Sequence, residues 1–591
     1  MATIGTTTAQ PQGPFELDSR ALGAAPIVRW FCERLGLEAL LERYLSASDA
    51  RLRLSPARAV AALITNLAIS REPLYGLGEW VARYDPCALG LAAGEAEHLN
   101  DDRAGRALDR LFGCDRGSLL CELVLAAIRE FGIETSQLHN DSTSISVHGA
   151  YEHADGRERA GRATVAICHG HSKDHRPDLK QLVVLLTVSA DGAVPLAHRV
   201  CDGNTSDSAT HIESWEGLRA LLGRSDFLYV ADCKLVTAEQ MRHIDRNAGR
   251  FVSVLPRSRS ETGRLCDWMR NGEPRWVEAA RTPPRRKDDP DDVWSVAPAP
   301  FQSAEGYRIV WVHSTNKRRL DEQARRDCLA RGLAALDELQ RRLAGPKCRF
   351  HERQAVESAA AAALRRAGVS GLVTIDVDER LDQWIREESR GPARTPARRR
   401  MQKLRFTLHR QVNETALAHE TAAYGCFALI TNDRHLTDAE VLAAYRYQPN
   451  LERRHHEFKS VLEAAPIHLH SPARIEALLT CQFIALLIHA LIERELRRAM
   501  AREGIQRIAL YPEQRACRAP TAARVFDLFA GLEQHRLLAN GQLVQPFEPT
   551  LTPRHEQLLA LLKAPPELYR APTAKQPPRR CGQTTPARTA E

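Results

Sequence analysis

Residues 138–147 read LHNDSTSISV, and this stretch decides the fold class. Polar and apolar residues alternate and β-branched residues are frequent, a pattern typical of a β-strand with one buried face. Asp141 lies inside this predicted strand. A carboxylate there is costly unless something pairs with it. We therefore expect Asp141 to be either a buried hydrogen-bonding group or a functional residue.

The segments that follow predict further strands. Residues 181–200, QLVVLLTVSADGAVPLAHRV, contain two apolar runs joined by a turn at Asp191-Gly192. Two shorter buried strands are predicted over 226–233 (DFLYVADC) and 250–256 (RFVSVLP), with a helix over 237–248 between them. Strands that alternate with helices in this way indicate an α/β fold.

Changes in composition divide the chain into segments. We predict disordered ends (1–16 and 564–591), a helical N-terminal region (17–132), a strand-rich region (133–256), a less regular region (257–436) and a second helical region (437–535). In the first helical region Ser55 and Pro56 predict an N-cap and a first helical residue.

Overall composition sets broad limits. The 591 residues carry a net charge of +8, which suits a polyanionic partner but is shared by many enzymes. No signal peptide is visible, and the apolar run FIALLIHALI (483–492) is too short to span a bilayer, so we predict a buried helix and no membrane partner. The fourteen scattered cysteines indicate reduced thiols and a cytoplasmic protein.

A second aspartate and a distant glutamate complete a pattern. Asp232 ends the predicted strand FLYVAD, although it could equally cap the helix that follows. Aspartates on two strands, followed by a glutamate on a late helix, are how an RNase H-like fold builds a site for two divalent metals. Magnesium prefers such oxygen ligands, and a pair of ions can assist phosphodiester cleavage.

The glutamate lies in the stretch YRYQPNLERRHHEFK, residues 445–459. Because Pro449 fits the first turn of a helix, we predict a helix start there, with Glu452 in the first turn, where the helix dipole favours its ionised form. His455 or His456 and Lys459 would share its face. The alternative is a solvated charged helix face.

Here the sequence resembles a known family. It is similar to bacterial insertion-sequence transposases with a DDE catalytic core, in the superfamily named after insertion sequence four, whose signature is Tyr-x-x-Arg-x-x-x-Glu-x-x-x-x-x-x-Lys. Tyr445, Glu452 and Lys459 occupy three of the four signature positions, and Gln448 replaces the arginine. Further stretches resemble the family in the same order: HNDSTSISVHGAY, GHSKDHRPDLKQL, GNTSD, VADCKL, FVSVLPRSR, LITND and ALIERELRRAM.

The resemblance implies an RNase H-like catalytic core and DNA transposition. Asp141, Asp232 and Glu452 would be the catalytic acids and hold two Mg²⁺ ions, with Mn²⁺ as a substitute, while Tyr445, Gln448 and Lys459 would contact DNA. The partners would be the element's terminal inverted repeats, recognised by the helical region 17–132, and target DNA, bound by a homodimer. The 220 residues between Asp232 and Glu452 imply an insertion domain over 257–436.

Two basic stretches have competing interpretations. In CHGHSKDHRPDLK (168–180) the cysteine and histidines suggest zinc, but a second ligand pair is missing, and a turn whose Lys173, Arg176 and Lys180 meet DNA phosphates fits better. The basic run over 390–410 either follows a DNA backbone or forms a solvated loop. Two other functions stay open: a DNA-binding relic that no longer cuts, and a metal-dependent nuclease without strand transfer.

Overall fold

The protein is described by a computed structural model that covers residues 15–46, 52–92, 94–271, 274–284, 289–388, 397–463, 469–511, 513 and 515–570. It is a mixed α/β protein with two compact units: residues 1–250 with 446–591, and residues 251–445. The second unit therefore extends slightly beyond the predicted insertion (257–436) at both ends.

The described residues include only part of the two ends that we predict to be disordered. Residues 1–14 and 571–591 lie outside the described residues. The prediction is wrong for Phe15 and Glu16, which begin a strand, and for the region around Tyr569, which is buried. The Tyr569 hydroxyl donates a hydrogen bond to the carbonyl of Gly23 at 2.9 Å. This contact fixes the end of the described chain against the N-terminal helices.

Strands of the first unit form one four-stranded arrangement and smaller sheets. Numbered along the whole chain, they are β1 (Phe15–Ala21), β2 (Gln137–Val147), β3 (Glu158–Arg159), β4 (Arg162–Ala163), β5 (Lys180–Ser189), β6 (Pro195–Cys201), β7 (Leu228–Ala231), β15 (Ile508–Ala509), β16 (Ala516–Cys517), β17 (Glu533–Ala539) and β18 (Gln542–Phe547). In the order β6-β5-β2-β7, the first three strands are antiparallel and β7 is parallel to β2. The predicted strands over LHNDSTSISV and on both sides of Asp191-Gly192 are confirmed.

Helices surround a long central helix in the same unit. They are α1 (Ala25–Arg34), α2 (Leu37–Tyr44), α3 (Pro56–Ile69), α4 (Leu77–Arg83), α5 (Asp101–Gly113), α6 (Arg116–Phe131), α7 (His211–Leu222), α8 (Ala238–Arg246), α14 (Gln448–His456), α15 (Pro472–Arg502), α16 (Ala522–Phe529) and α17 (Pro553–Leu561). Ser55 caps α3 by accepting a hydrogen bond from the Arg58 N–H, as predicted. Apart from β1, the N-terminal region is helical, as expected.

Helix α15 is the core helix of this unit. It contains the apolar run FIALLIHALI and is 31 residues long, so by length and composition alone it could cross a membrane. However, 94% of its most apolar 18-residue window is buried inside the protein. The prediction of a buried helix is confirmed.

The second unit combines an antiparallel sheet with a helix pair and a long hairpin. Its strands are β8 (Arg250–Val254), β9 (Val277–Thr282), β10 (Asp292–Pro298), β11 (Arg308–Ser314), β12 (Val373–Glu388), β13 (Ala397–Val412) and β14 (Cys426–Thr431), and its helices are α9 (Ser260–Asn271), α10 (Thr315–Ala344), α11 (Arg353–Ala367), α12 (Glu414–Thr421) and α13 (Asp438–Tyr445). The sheet order is β8-β14-β11-β10-β9, and β12 pairs with β13 alone.

The thirteen cysteines of the described residues form no disulfide.

A buried ion network fixes α14, the helix that carries Glu452. The Arg454 guanidinium, 4% exposed, donates to the carbonyl of Ala193 at 3.0 Å and pairs with Glu457 and with Glu493 at 3.0 Å. Glu457 also accepts a hydrogen bond from His489 on α15 at 2.9 Å. Burial raises the pKa of Glu457, but the charge of Arg454 and the contact with His489 outweigh it and lower the pKa to about 2. The network joins α14 to α15 and to the β5–β6 turn.

We expect Glu457→Gln to lower the free energy of unfolding by about 3 kcal/mol, because it leaves Arg454 without one of its buried partners. The stabilisation from Glu457 is present above its ordinary pKa of 4.5 and is lost as the pH falls toward about 2. Urea denaturation at several pH values would therefore show a weaker acid destabilisation in the variant. Glu503→Gln, at an exposed position, is the matched control and should change stability by less than about 0.5 kcal/mol. A Glu457→Gln protein as stable as this control would contradict the role of the network.

Candidate functional site

Asp141 lies on β2, and Asp232 directly follows the parallel neighbouring strand β7. The two strands pair Leu138 with Tyr229 and His139 with Val230. Extending this register by two residues places Asp141 beside Asp232. The negative charge of Asp232 is also one of the factors that raise the pKa of Asp141, which is consistent with their proximity. The structure therefore brings the two predicted aspartates together.

The Lys173 ammonium is the cation nearest to Asp141. Its Nζ lies 3.3 Å from Asp141 Oδ1 and donates to the Ser142 carbonyl at 2.6 Å and the Ser142 hydroxyl at 2.7 Å. The Lys173 backbone N–H donates to the Ser144 hydroxyl at 3.0 Å. Burial raises the pKa of Asp141, while the Lys173 charge and the Ser142 N–H partly oppose this shift. In this structure the Lys173 charge partly neutralises the two aspartates, and its contact with DNA phosphate stays a prediction.

Asp232 has a different environment. It directly follows β7 and accepts a hydrogen bond from the Lys234 N–H at 3.0 Å, so it caps the short 3-10 turn Cys233–Leu235. The helix predicted to follow, α8, is capped by Thr237 instead. His211 Nε2 lies 3.8 Å from Asp232 Oδ1, too far for a hydrogen bond but close enough for electrostatic attraction. Burial raises the pKa of Asp232, but His211 and the Lys234 N–H outweigh it, so the pKa lies below its ordinary value. Asp232 is therefore ionised at neutral pH. Sequence reasoning missed His211, since nothing in its local pattern indicates this contact.

Glu452 is less closely associated with this site. It is exposed and is the fifth residue of α14, so the expectation that it lies in the first turn is wrong: the helix begins at Gln448, one residue before Pro449. His455, one turn further on, is buried and lies 3.9 Å from Asp141 Oδ2. Burial, with the charges of Lys173 and Lys459, lowers the pKa of His455 to about 3, so the ring is neutral. Within the described part of the chain, no three His, Cys, Asp or Glu side chains are grouped closely enough to hold a metal ion.

Gln448, at the family's arginine position, has an internal role. It is 8% exposed, and its amide oxygen is 3.0 Å from His139 Nδ1. The Nε2 atom of His139 lies 2.8 Å from the amide nitrogen of Gln137. Burial lowers the pKa of His139 to about 4, so the ring is neutral, donating to Gln448 and accepting from Gln137. In this structure Gln448 is not placed as a surface contact for DNA.

Tyr445 belongs to the second unit, at the end of α13. Its ring lies 5.8 Å from that of Phe427. The shared helix face predicted for Glu452 and Lys459 is interrupted, because Lys459 lies in a π-helical turn over Glu457–Val461. The Lys459 ammonium pairs with Asp174 at 2.6 Å. A phosphate at Lys459 would therefore compete with that carboxylate.

Of the remaining predicted DNA contacts, Arg176 lies in the same loop as Lys173, and Lys180 begins β5 directly after that loop. Arg176 is exposed and pairs with Asp178 at 2.7 Å. The Lys180 ammonium donates to the carbonyl of Ala150. Both cations thus have local partners, which leaves phosphate binding by either residue a prediction.

Comparison with known proteins adds one finding. A family model described as a domain of unknown function (DUF4277) matches residues 17–125. No curated protein matches the chain. The matched stretch lies in the N-terminal region and ends before β2, so it does not include either aspartate.

We expect Gln448→Arg, which restores the family's arginine, to lower the free energy of unfolding by about 2 kcal/mol or more. It would bury a charge beside His139, which already uses its Nδ1 proton for Gln448. Gln545→Arg, at an exposed position of β18, adds the same charge and serves as the control in urea denaturation. Unchanged stability together with tighter DNA binding would instead identify position 448 as a DNA contact.

Proposed function

We propose that this protein is a DNA transposase with an RNase H-like catalytic core. The observation that carries the proposal is the position of Asp141 on β2 beside Asp232, which directly follows the parallel neighbouring strand β7. Two carboxylates close to each other are costly, and a site for cations is one physical reason to keep them together. The family signature around Glu452 supports the same conclusion.

The aspartates fit a divalent cation by their chemistry. Both offer hard oxygen ligands, and Asp141 already accepts a cationic partner, the ammonium of Lys173. Magnesium is commonly held by one or two protein carboxylates, with phosphates and water as the other ligands. Asp141 and Asp232 would hold such ions, with Glu452 contributing from α14, and the ions would supply Lewis-acid stabilisation of the reacting phosphate oxygens.

The chain's own residues would position the DNA strand around this centre. The ammonium of Lys173, held by Ser142, places positive charge where a phosphodiester would approach the aspartates. Lys459 adds a second cation in the turn after α14, provided that the phosphate displaces Asp174. The reaction proposed is hydrolysis at the element ends, followed by attack of the freed 3′-hydroxyl on target DNA.

The position of Glu452 favours one alternative function. Because Glu452 is not grouped with the aspartates among the described residues, a relic that binds DNA without cleaving it is the second candidate. A nuclease that cleaves without joining is the third. All three functions predict DNA binding, and they differ in their products.

We expect Asp141→Asn to reduce Mg²⁺-dependent cleavage of a labelled duplex carrying the element's end by at least ~10²-fold, since several kcal/mol of charge stabilisation would be lost. Glu452→Gln should have the same effect. Asp527→Asn, an exposed aspartate on α16, is the matched control and should leave the rate unchanged. Gel analysis would resolve cleaved and joined strands.

Each result assigns a function. Joined products that disappear in Asp141→Asn support the transposase, and cleavage without joining identifies a nuclease. Binding by the wild-type protein with neither product identifies a relic. Cleavage that survives Asp141→Asn would overturn the proposed site.

A further inference from the structure

The second unit contains a β-ribbon whose two halves have different surroundings. The ribbon is formed by β12 and β13, which pair over their full 16 residues from Val373↔Val412 to Glu388↔Ala397. In the half near Val373, Val377 and Phe406 are buried in a core with Leu336 of α10 and Val356 of α11. The other half, from Arg380 to Glu388 and from Ala397 to Arg405, is called the distal ribbon below.

The distal ribbon exposes large apolar side chains. Leu381 is 48%, Trp384 44%, Ile385 65% and Leu404 37% exposed. A two-stranded ribbon without further packing is marginally stable in water. These side chains are therefore consistent with a surface that is covered by a partner.

The charges of the distal ribbon identify the chemistry of that partner. The register places Arg386 directly opposite Arg399, and Arg380 directly opposite Arg405. Like charges in this position destabilise a sheet. Asp382 offsets the second pair, at 3.0 Å from Arg380 and 3.5 Å from Arg405.

Among the described side chains, no carboxylate pairs with either arginine of the first pair. Asp382 is the one carboxylate among the described side chains of the distal ribbon, and it pairs with Arg380 and Arg405. The side chains of Glu387 and Glu388 lie outside the description. The further basic residues Arg398, Arg400 and Lys403 follow on the same strand. Arg390 and Arg394 of the basic run lie outside the described residues.

We propose that the distal ribbon docks into a groove of double-stranded DNA. An anionic partner removes the repulsion between Arg386 and Arg399, whereas a second copy of the same basic ribbon would increase it. The major groove, about 12 Å wide, admits a two-stranded ribbon, whose strands are about 4.8 Å apart. Trp384, between the two arginine pairs, offers an aromatic face for base or sugar contact. The inference rests on the proposed function and assigns a DNA contact that the acidic site does not provide.

The test compares two doubly substituted full-length proteins with the same net charge. Arg386→Gln with Arg399→Gln alters the distal ribbon, and Arg326→Gln with Arg331→Gln alters exposed arginines on α10 of the same unit. Fluorescence anisotropy with a labelled 30-base-pair duplex of random sequence, at several NaCl concentrations, gives the affinity and its salt dependence. We expect the ribbon variant to bind about 10-fold more weakly and its slope of log affinity against log salt to fall by about 2. The α10 variant should differ from wild type by less than about 2-fold.

Further measurements distinguish DNA binding by the ribbon from misfolding of a variant and from contacts between copies. Trp384→Ala should also weaken binding several-fold without changing the charge, and unfolding curves identify any variant that is not folded. Equal affinities of the ribbon and α10 variants would overturn the proposal. A changed molecular mass of the ribbon variant in sedimentation, with unchanged DNA affinity, would also overturn the proposal. That result would assign the ribbon to contacts between copies of the protein.

Asp141→Asn distinguishes this proposal from the proposed function. If Asp141→Asn still cleaves DNA while the ribbon variant binds weakly, the acidic site is wrong and the ribbon assignment stands. If Asp141→Asn abolishes cleavage while the ribbon variant binds normally, the ribbon assignment is wrong.

Discussion

The buried guanidinium of Arg454 is the interaction on which the position of α14 depends. Taking a charge out of water is expensive unless its hydrogen-bonding groups and its charge are matched. Arg454 meets this condition with the carbonyls of Gly192 and Ala193 and the carboxylates of Glu457 and Glu493. Because these partners come from a β-turn, from α15 and from the residues directly after α14, the helix is held from several directions. Glu452, two residues before Arg454, is placed by this network.

The positions of Asp141 and Asp232 depend on strand pairing and not on a buried ion network. Parallel pairing of β2 and β7 places Asp141 and Asp232 together whether or not their charges are compensated. The surroundings then separate their chemistry: burial raises the pKa of Asp141, while His211 and the Lys234 N–H lower that of Asp232. Lys173 supplies positive charge beside Asp141. The fold thus brings two negative charges close together beside the end of β7. The positive charge of Lys173, a loop residue, partly offsets them.

These two mechanisms explain how much of the site could be predicted from the sequence. The strands around Asp141 and Asp232 follow from alternation and apolar runs, which are local signals. The helix of Glu452 follows from Pro449, to within one residue. The role of Gln448 could not be predicted, because it depends on His139, 309 positions away in the chain. The contact between Lys173 and Asp141 also depends on tertiary structure. The pairing of β13 with β12 could not be predicted from the sequence, because a basic run is equally typical of a solvated loop.

The Lys173 ammonium is not bound equally to its neighbours. Its contacts to the carbonyl and hydroxyl of Ser142 are 2.6 and 2.7 Å long, whereas Asp141 is 3.3 Å away. A hydrogen bond weakens as the distance increases beyond about 3 Å, so Ser142 holds the ammonium more firmly than the aspartate does. Lys173 could therefore release Asp141 to another cation and keep both contacts with Ser142. The ammonium would then remain beside the site and attract an incoming phosphate by its positive charge. The same side chain would neutralise the aspartates in the free protein and attract the DNA backbone in the complex.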